Sequence, residues 1–181
     1  MIRLAKASEI ERILEIYASA RAYMRQTGNP TQWSGNYPDR DTLLDDIEKS
    51  QLYIMVKENA APASSESSGS SAASDDGSAI CGVFALIEGE DPTYGYIEGG
   101  KWISDEPYGT MHRVASDGTT SGFFSKCIAF ARKRHDHLRI DTHKDNKPMQ
   151  NVILSQDFQY CGIIYLEDGD PRLAYEWLAQ K

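Results

Sequence analysis

The chain has 181 residues, 40% of them hydrophobic, with 27 acidic against 19 basic side chains and a formal net charge of −8. That length suits one well-packed domain and is short for two. The acidic balance disfavours nucleic acid as a partner, which needs a basic surface, and no run approaches the ~20 apolar residues of a membrane span.

The first residues, MIRLAKASEIER, lack the apolar core of a signal peptide. Cys81, Cys127 and Cys161 lie singly in apolar segments, an odd number with no Cys-x-x-Cys spacing. Free buried thiols in a cytoplasmic protein are expected.

In chain order, Ile2–Ala5 alternates as a short strand. Ser8, with Glu11 three residues on, matches a capping box for a helix whose apolar stripe is Ile10, Ile13, Leu14, Tyr17 and Met24 and which ends at Gly28. Residues 28–38 hold two prolines and two glycines, so no regular element is expected, and the large rings of Trp33 and Tyr37 mark the loop as a lid or pocket wall. Asp39 or Asp41 caps a second helix that buries Leu43, Leu44 and Ile47. Leu52–Val56 and Ile80–Ile87 read as central strands. Between them, 60–78 is almost wholly Ala, Ser, Gly and Asp, the composition of a flexible insertion that can be deleted. An irregular strand is expected near Tyr96–Trp102 within the acidic, Gly-rich segment 88–107.

The most informative stretch runs from Tyr108 to Asn146. Strand residues to Ala115 stop at Ser116-Asp117-Gly118. From Thr120 the apolar residues Phe123, Phe124, Cys127, Ile128 and Ala131 fall at helical spacing, and Leu138–His143 alternates as a strand. Such a unit forms a parallel β-pair bridged by a helix, and its small polar turn leaves backbone N–H groups free at a helix start, a seat for phosphate. Asn146 and Pro148 then open a short helix that buries Met149, Val152 and Ile153. Phe158–Leu166 and Arg172–Trp177 close the chain as a hairpin. The order is β-α-α-β-β-β-α-β-α-β-β, an α/β (α+β) fold with a mixed central sheet of about seven strands and helices on both faces.

This order, with Val114-Ala115, the turn, the helix through Arg134, and the Asn-initiated helix after Asp141, resembles the GNAT superfamily of acyl-CoA-dependent N-acetyltransferases over nearly the whole chain, 1–181, outside the insertion. The resemblance implies that the strands of Val114 and Ile140 splay apart to admit the pantetheine arm of acetyl-CoA. It also implies that Val114 and Ala115 pair with that arm and the acyl carbonyl, and that Gly118, Thr119, Thr120, Ser121, Gly122 and Phe123 hold the pyrophosphate, with Asn146 nearby. The sequence departs from the family twice. Of the usual Gln/Arg-x-x-Gly-x-Gly/Ala turn only Gly122 is kept, with Thr119 and Phe124 at the outer positions. Ile153 stands where a general-acid Tyr is frequent.

Direct acyl transfer to an amine needs a base, because a protonated amine is no nucleophile. His112, two residues before Val114 and read as sharing its strand face, is the first choice. Glu98, in the preceding segment, is the second, because the resemblance implies a carboxylate entering the sheet centre as a water-mediated base. Asp141 and His143 alternate on one strand and are expected to orient the loop of Asn146. The spacing of His112, Asp141, His143 and Asp145 matches no common zinc pattern, so no metal is expected. Trp33, Tyr37 and the 88–107 segment are expected to wall the acceptor pocket. Glu88, Glu90, Asp91, Glu98, Asp105 and Glu106 would favour a cationic small molecule or peptide amine. The competing reading is a non-catalytic acyl-CoA-binding or sensor module. Exposed edge strands near the C-terminus point to a homodimer.

Overall fold

In the computed structural model, residues 1–57 and 79–180 are described, so the expected insertion at 60–78 lies outside the described residues. The strands are β1 (Ile2–Leu4), β2 (Leu52–Val56), β3 (Ile80–Glu88), β4 (Gly109–Ser116), β5 (His137–Thr142), β6 (Gln159–Tyr165) and β7 (Pro171–Leu178); the helices are α1 (Ile10–Gln26), α2 (Arg40–Glu48), α3 (Phe123–Arg132) and α4 (Lys147–Leu154). They follow the expected order element by element. The strands form one sheet, β1-β2-β3-β4-β5-β7-β6, antiparallel except for β4 beside β5. Helices α1 and α2 cover one face, where Ile13, Ile16, Tyr17 and Leu43 pack on Ile54, Val83 and Ala115. The other face meets α3 and α4, where Phe124, Cys127, Ile128 and Ile153 pack on Phe84, Met111 and Ile140. All three cysteines are free and buried. Among the described residues no helix is long and apolar enough to cross a membrane.

Several local expectations need correction. The capping box belongs to Lys6 and Glu9, not Ser8 and Glu11: Lys6 N–H donates to Glu9 Oε2 (2.8 Å), and a 3₁₀ turn at Ala7–Glu9 leads into α1. Arg3 also pairs with Glu9, which fixes the choice between the two carboxylates. Helix α3 begins at Phe123, three residues later than Thr120, because Gly122 takes a left-handed φ of 65° at the N-cap. In place of a strand over Tyr96–Trp102 there is a single antiparallel bridge, Glu98 to Ile163, preceded by a 3₁₀ turn at Pro92–Tyr94. Strand β2 lies one position in from the edge strand β1. Val152 is exposed, since α4 buries only Ile153 and part of Met149. Asp39 and Asn146 cap their helices as expected, accepting from Thr42 N and Met149 N.

At Gly82 the fold meets the site directly. A Cβ there would overlap the ring of Phe123, the first residue of α3. Gly82→Ala is therefore expected to cost about 1–3 kcal/mol as overpacking, read from urea denaturation midpoints.

Candidate active site

The parallel pair β4–β5 is short. It holds for Gly109–Met111 against Leu138–Ile140 and then ends. Beyond Met111 and Ile140 the strands part, and residues on both sides of the gap line a cavity of about 1100 Å³, among them Val114, Ala115 and Gly118 from β4 and its turn, and Asp141 and Thr142 from β5. The cause lies in β4 itself. Val83 pairs with Ala115 but Ala85 pairs with His112, so Phe84 faces two residues, Arg113 and Val114. Arg113 has φ 53°, a left-handed value uncommon outside glycine. This is a β-bulge, which bends a strand and ends regular pairing.

The bulge is held from the helical side. Tyr17 OH of α1 donates to Arg113 O (2.7 Å), and Arg113 Nη2 donates to Oδ1 of the buried Asp46 of α2 (2.7 Å). Burial pushes the Tyr17 phenol well up, so it stays a donor. The extra residue also overturns one expectation. His112 and Ala115 lie on the α1 side, whereas Val114 packs with Met111 and Phe84 on the α3 side. His112 and Val114 therefore do not share a face, although both line the cavity.

His112 is gripped at one ring nitrogen. Its Nε2 lies 2.8 Å from Asp91 Oδ2, and its Nδ1 lies 3.8 Å from Asp141 Oδ1. Asp91 is itself fixed: Oδ1 accepts from Thr93 N (2.9 Å) and Thr93 Oγ1 (2.6 Å), and its own N–H donates to Tyr108 OH (3.1 Å). Burial alone would raise the Asp91 carboxyl, but the hydrogen bonds from His112 and Thr93 outweigh it and bring the pKa down to about 2. Asp141 Oδ1 accepts from Tyr94 OH (2.7 Å), a phenol pushed well above its usual value by burial and then by that carboxylate. Asp91, which the sequence offered only as one of six acids, is thus brought together with His112 and Asp141. An Asp-Pro-Thr run, which caps a 3₁₀ turn, was the signal available.

Of the other acidic residues expected at the pocket, Glu88, Glu90, Glu98, Asp105 and Glu106 do not line the cavity. Glu98 is exposed, because its backbone pairs with Ile163 and its carboxylate accepts from Tyr165 OH on the outer side of β6. Carboxylates reach the cavity instead from the β6–β7 turn, as Glu167, Asp168 and Asp170. Trp33 and Tyr37 do line it, with Tyr23 beside them. Trp33 packs edge-on against Tyr17 (5.5 Å between centroids). The 28–38 loop is tied across the gap: Gln32 Oε1 accepts from Asn146 Nδ2 (2.8 Å) and Asn29 Nδ2 (2.7 Å). Asn146 therefore joins the loop to the start of α4. His143 is buried and accepts from Asp145 N (3.2 Å), shaping the turn before Asn146 as expected, and burial followed by Arg172 lowers its pKa.

In the expected phosphate turn, Gly118 and Phe123 line the cavity, while Thr119, Thr120, Ser121 and Gly122, which join them, do not. Asp117 organises the turn, with Oδ1 accepting from Thr119 N (2.9 Å) and Oδ2 from Arg12 Nη2 (3.1 Å). At the position of the missing Tyr, Ile153 is fully buried in the core. A fit for a linear ligand arm is visible in the gap itself. Thr142 Oγ1 is buried on β5, lines the cavity and has no hydrogen-bond partner among the described residues.

No protein-family model and no curated protein sequence matches the chain. Solved structures do. An acetyltransferase of the GNAT family from Streptococcus agalactiae is 29% identical, with a TM-score of 0.75 over 100% of this chain and 96% of that one. A ribosomal-protein-alanine N-acetyltransferase from Brucella melitensis is 15% identical, with a TM-score of 0.57 over 98% and 99%. A chain of the NatC complex bound to Gag peptide and CoA is 14% identical, with a TM-score of 0.50 over 99% and 98%. The antiparallel sheet broken by one parallel pair, the bulged and parting β4, and these likenesses along the full length agree, and the chain belongs to the GNAT superfamily.

Proposed function

We propose that the chain is an N-acyltransferase that moves an acetyl group from acetyl-CoA directly to a primary amine, with His112 as the base. The observation that carries this reading is the single cavity running from Gly118 through the gap between β4 and β5 to His112, Asp91 and Asp141. A pantetheine arm in the gap would meet Val114, Ala115 and Thr142, with the pyrophosphate at Gly118 and the turn through Phe123. An amine entering past Trp33 and Tyr37 would meet His112. Holding thioester and amine together supplies much of the acceleration.

The acceptor end favours a cation. Of the guanidinium groups lining it, Arg113 is paired with Asp46, and Arg172 lies against Asp170 and Asp141. Glu167 and Asp168 stand exposed at the rim with no cationic partner among the described residues. The test is thiol release from acetyl-CoA across a panel of amines. Acceptor-dependent release with cationic amines supports the reading, turnover with neutral or anionic amines alone removes the charge argument, and no binding of CoA by calorimetry overturns the whole.

The second reading, a non-catalytic acyl-CoA-binding module, draws on the buried Ile153; binding without release under any acceptor would favour it. Asp117 offers a separate check on the cofactor turn. Its carboxyl lies below the ordinary value: burial opposes this, and hydrogen bonds from Thr119 and the charges of Lys57 and Arg12 produce it. Asp117→Asn keeps an acceptor for Thr119 N, removes a charge that repels phosphate and releases Arg12. CoA should bind about two- to fivefold tighter, the scale of one charge near an exposed helix start, with less gain in high salt.

A further inference from the structure

The assignment of His112 as base leaves open which ring nitrogen takes the proton, and the surroundings of Asp91 decide it. An ionised carboxylate is an acceptor only, so the 2.8 Å contact between Asp91 Oδ2 and His112 Nε2 requires the proton on Nε2. At 3.8 Å, Nδ1 and Asp141 Oδ1 are too far apart for a hydrogen bond. Asp141 Oδ1 already accepts from Tyr94 OH. The bare lone pair of Nδ1 thus faces a carboxylate across a gap that a donor can bridge.

We infer that Asp91 is the positioning residue of this site: it holds His112 as the Nε2–H tautomer, so that Nδ1, with the Asp141 carboxylate opposite, receives a proton from a cationic acceptor. The inference rests on the proposed acyl transfer and deepens it. An N–H bond of the acceptor ammonium breaks, its electron pair stays on nitrogen, and the proton moves to Nδ1. The imidazolium that results has a carboxylate at each nitrogen, Asp91 on Nε2 and Asp141 on Nδ1. The neutral amine forms its bond to the acyl carbon as the carbon–sulfur bond breaks. The second proton leaves nitrogen for the departing thiolate, so no side chain at the position of Ile153 is needed. Asp91 acts through His112, as the carboxylate does in other carboxylate–histidine pairs.

The cap at Thr93 makes a sharp test. In Asp91→Asn, Thr93 N–H and Oγ1–H both require an oxygen at the Oδ1 position, so the amide NH₂ is turned toward His112 Nε2. That nitrogen must then accept, and the ring proton moves to Nδ1, where it blocks proton uptake. The tautomer is read directly from two-bond ¹H–¹⁵N correlations of the free ¹⁵N-labelled protein in mildly alkaline buffer, with the His112 signals assigned by their loss in His112→Gln.

The wild type should give the Nε2–H pattern and Asp91→Asn the Nδ1–H pattern. A Nδ1–H pattern in the wild type, or an unchanged pattern in folded Asp91→Asn, overturns the proposal. The wild-type spectrum alone decides the matter if the variant does not fold, which thermal melting reports. With an acceptor that turns over, Asp91→Asn should lower kcat on the order of 10²-fold while KM for acetyl-CoA changes less than about threefold; an unchanged kcat also overturns it. Failure to find any acceptor would count against acyl transfer itself and would leave the tautomer result standing.

Discussion

His112→Gln is expected to lower kcat by about 10²- to 10⁴-fold, the range that a positioned general base contributes, with the affinity for CoA nearly unchanged. Glutamine retains a polar group that can reach Asp91 and fills most of the imidazole volume, but it cannot accept a proton at neutral pH. The side chain is about one-fifth exposed and lines the cavity, so the loss of the ring leaves no large void in the core. A selective fall in kcat, with calorimetric CoA binding intact, separates loss of chemistry from loss of fold. Retention of a third or more of wild-type kcat would place the base elsewhere, on a water held by Asp91 or Asp141.

The order of the elements was legible because each carried an uninterrupted period, 3.6 in α1 and α3 and alternation or apolar runs in the strands. The gap between β4 and β5 was expected only through family resemblance, and its cause could not be read locally. A left-handed Arg113 is stabilised by Tyr17, 96 residues away, and by Asp46, 67 residues away. No window of sequence around Val114 contains those partners, so local alternation places His112 on the face of Val114, and the bulge moves it to the other. Glu98 lies outside the cavity for a related reason. Its segment makes one bridge to β6 rather than a strand, and a single bridge leaves the side chain at the outer rim. Asp91 was nearer to being legible, because Asp-Pro-Thr is a local cap; its hydrogen bond to a histidine 21 residues on was not.

Glu176→Gln is expected to destabilise the fold by about 3–5 kcal/mol, the usual result of removing one partner from a buried charged network, and to lower Tm by roughly 10 °C for a domain of this size. Glu176 of β7 is fully buried opposite Arg139 of β5. It accepts from Arg139 Nε (3.0 Å), from His137 Nε2 and from Ile103 N. Arg139 is also stacked between Trp102 and Tyr108, its guanidinium carbon 4.0 Å from each ring centroid, and donates to Ser104 O (2.6 Å). Neutralising Glu176 leaves a guanidinium buried without its counter-charge and frees the 102–108 segment.

The pH dependence has a fixed sign. Burial alone would raise the Glu176 carboxyl, yet hydrogen bonds from His137, Ile103 N–H and Arg139 hold it below its ordinary value. A depressed folded-state pKa contributes stability above the usual carboxylate range and loses it as pH falls through the folded value. The gap between wild type and Glu176→Gln should therefore be widest near neutrality and narrow in acid; a gap that widens in acid, or a Tm change under about 2 °C, would show that the network does not anchor this face. The same network bears on chemistry. Tyr108, which stacks on Arg139, accepts from the N–H of Asp91, so a loosened 102–108 segment reaches Asp91 through one hydrogen bond and His112 through a second. Glu176→Gln held below its melting point should then lose activity by raising the disorder of Asp91, with CoA binding at the far end of the cavity retained.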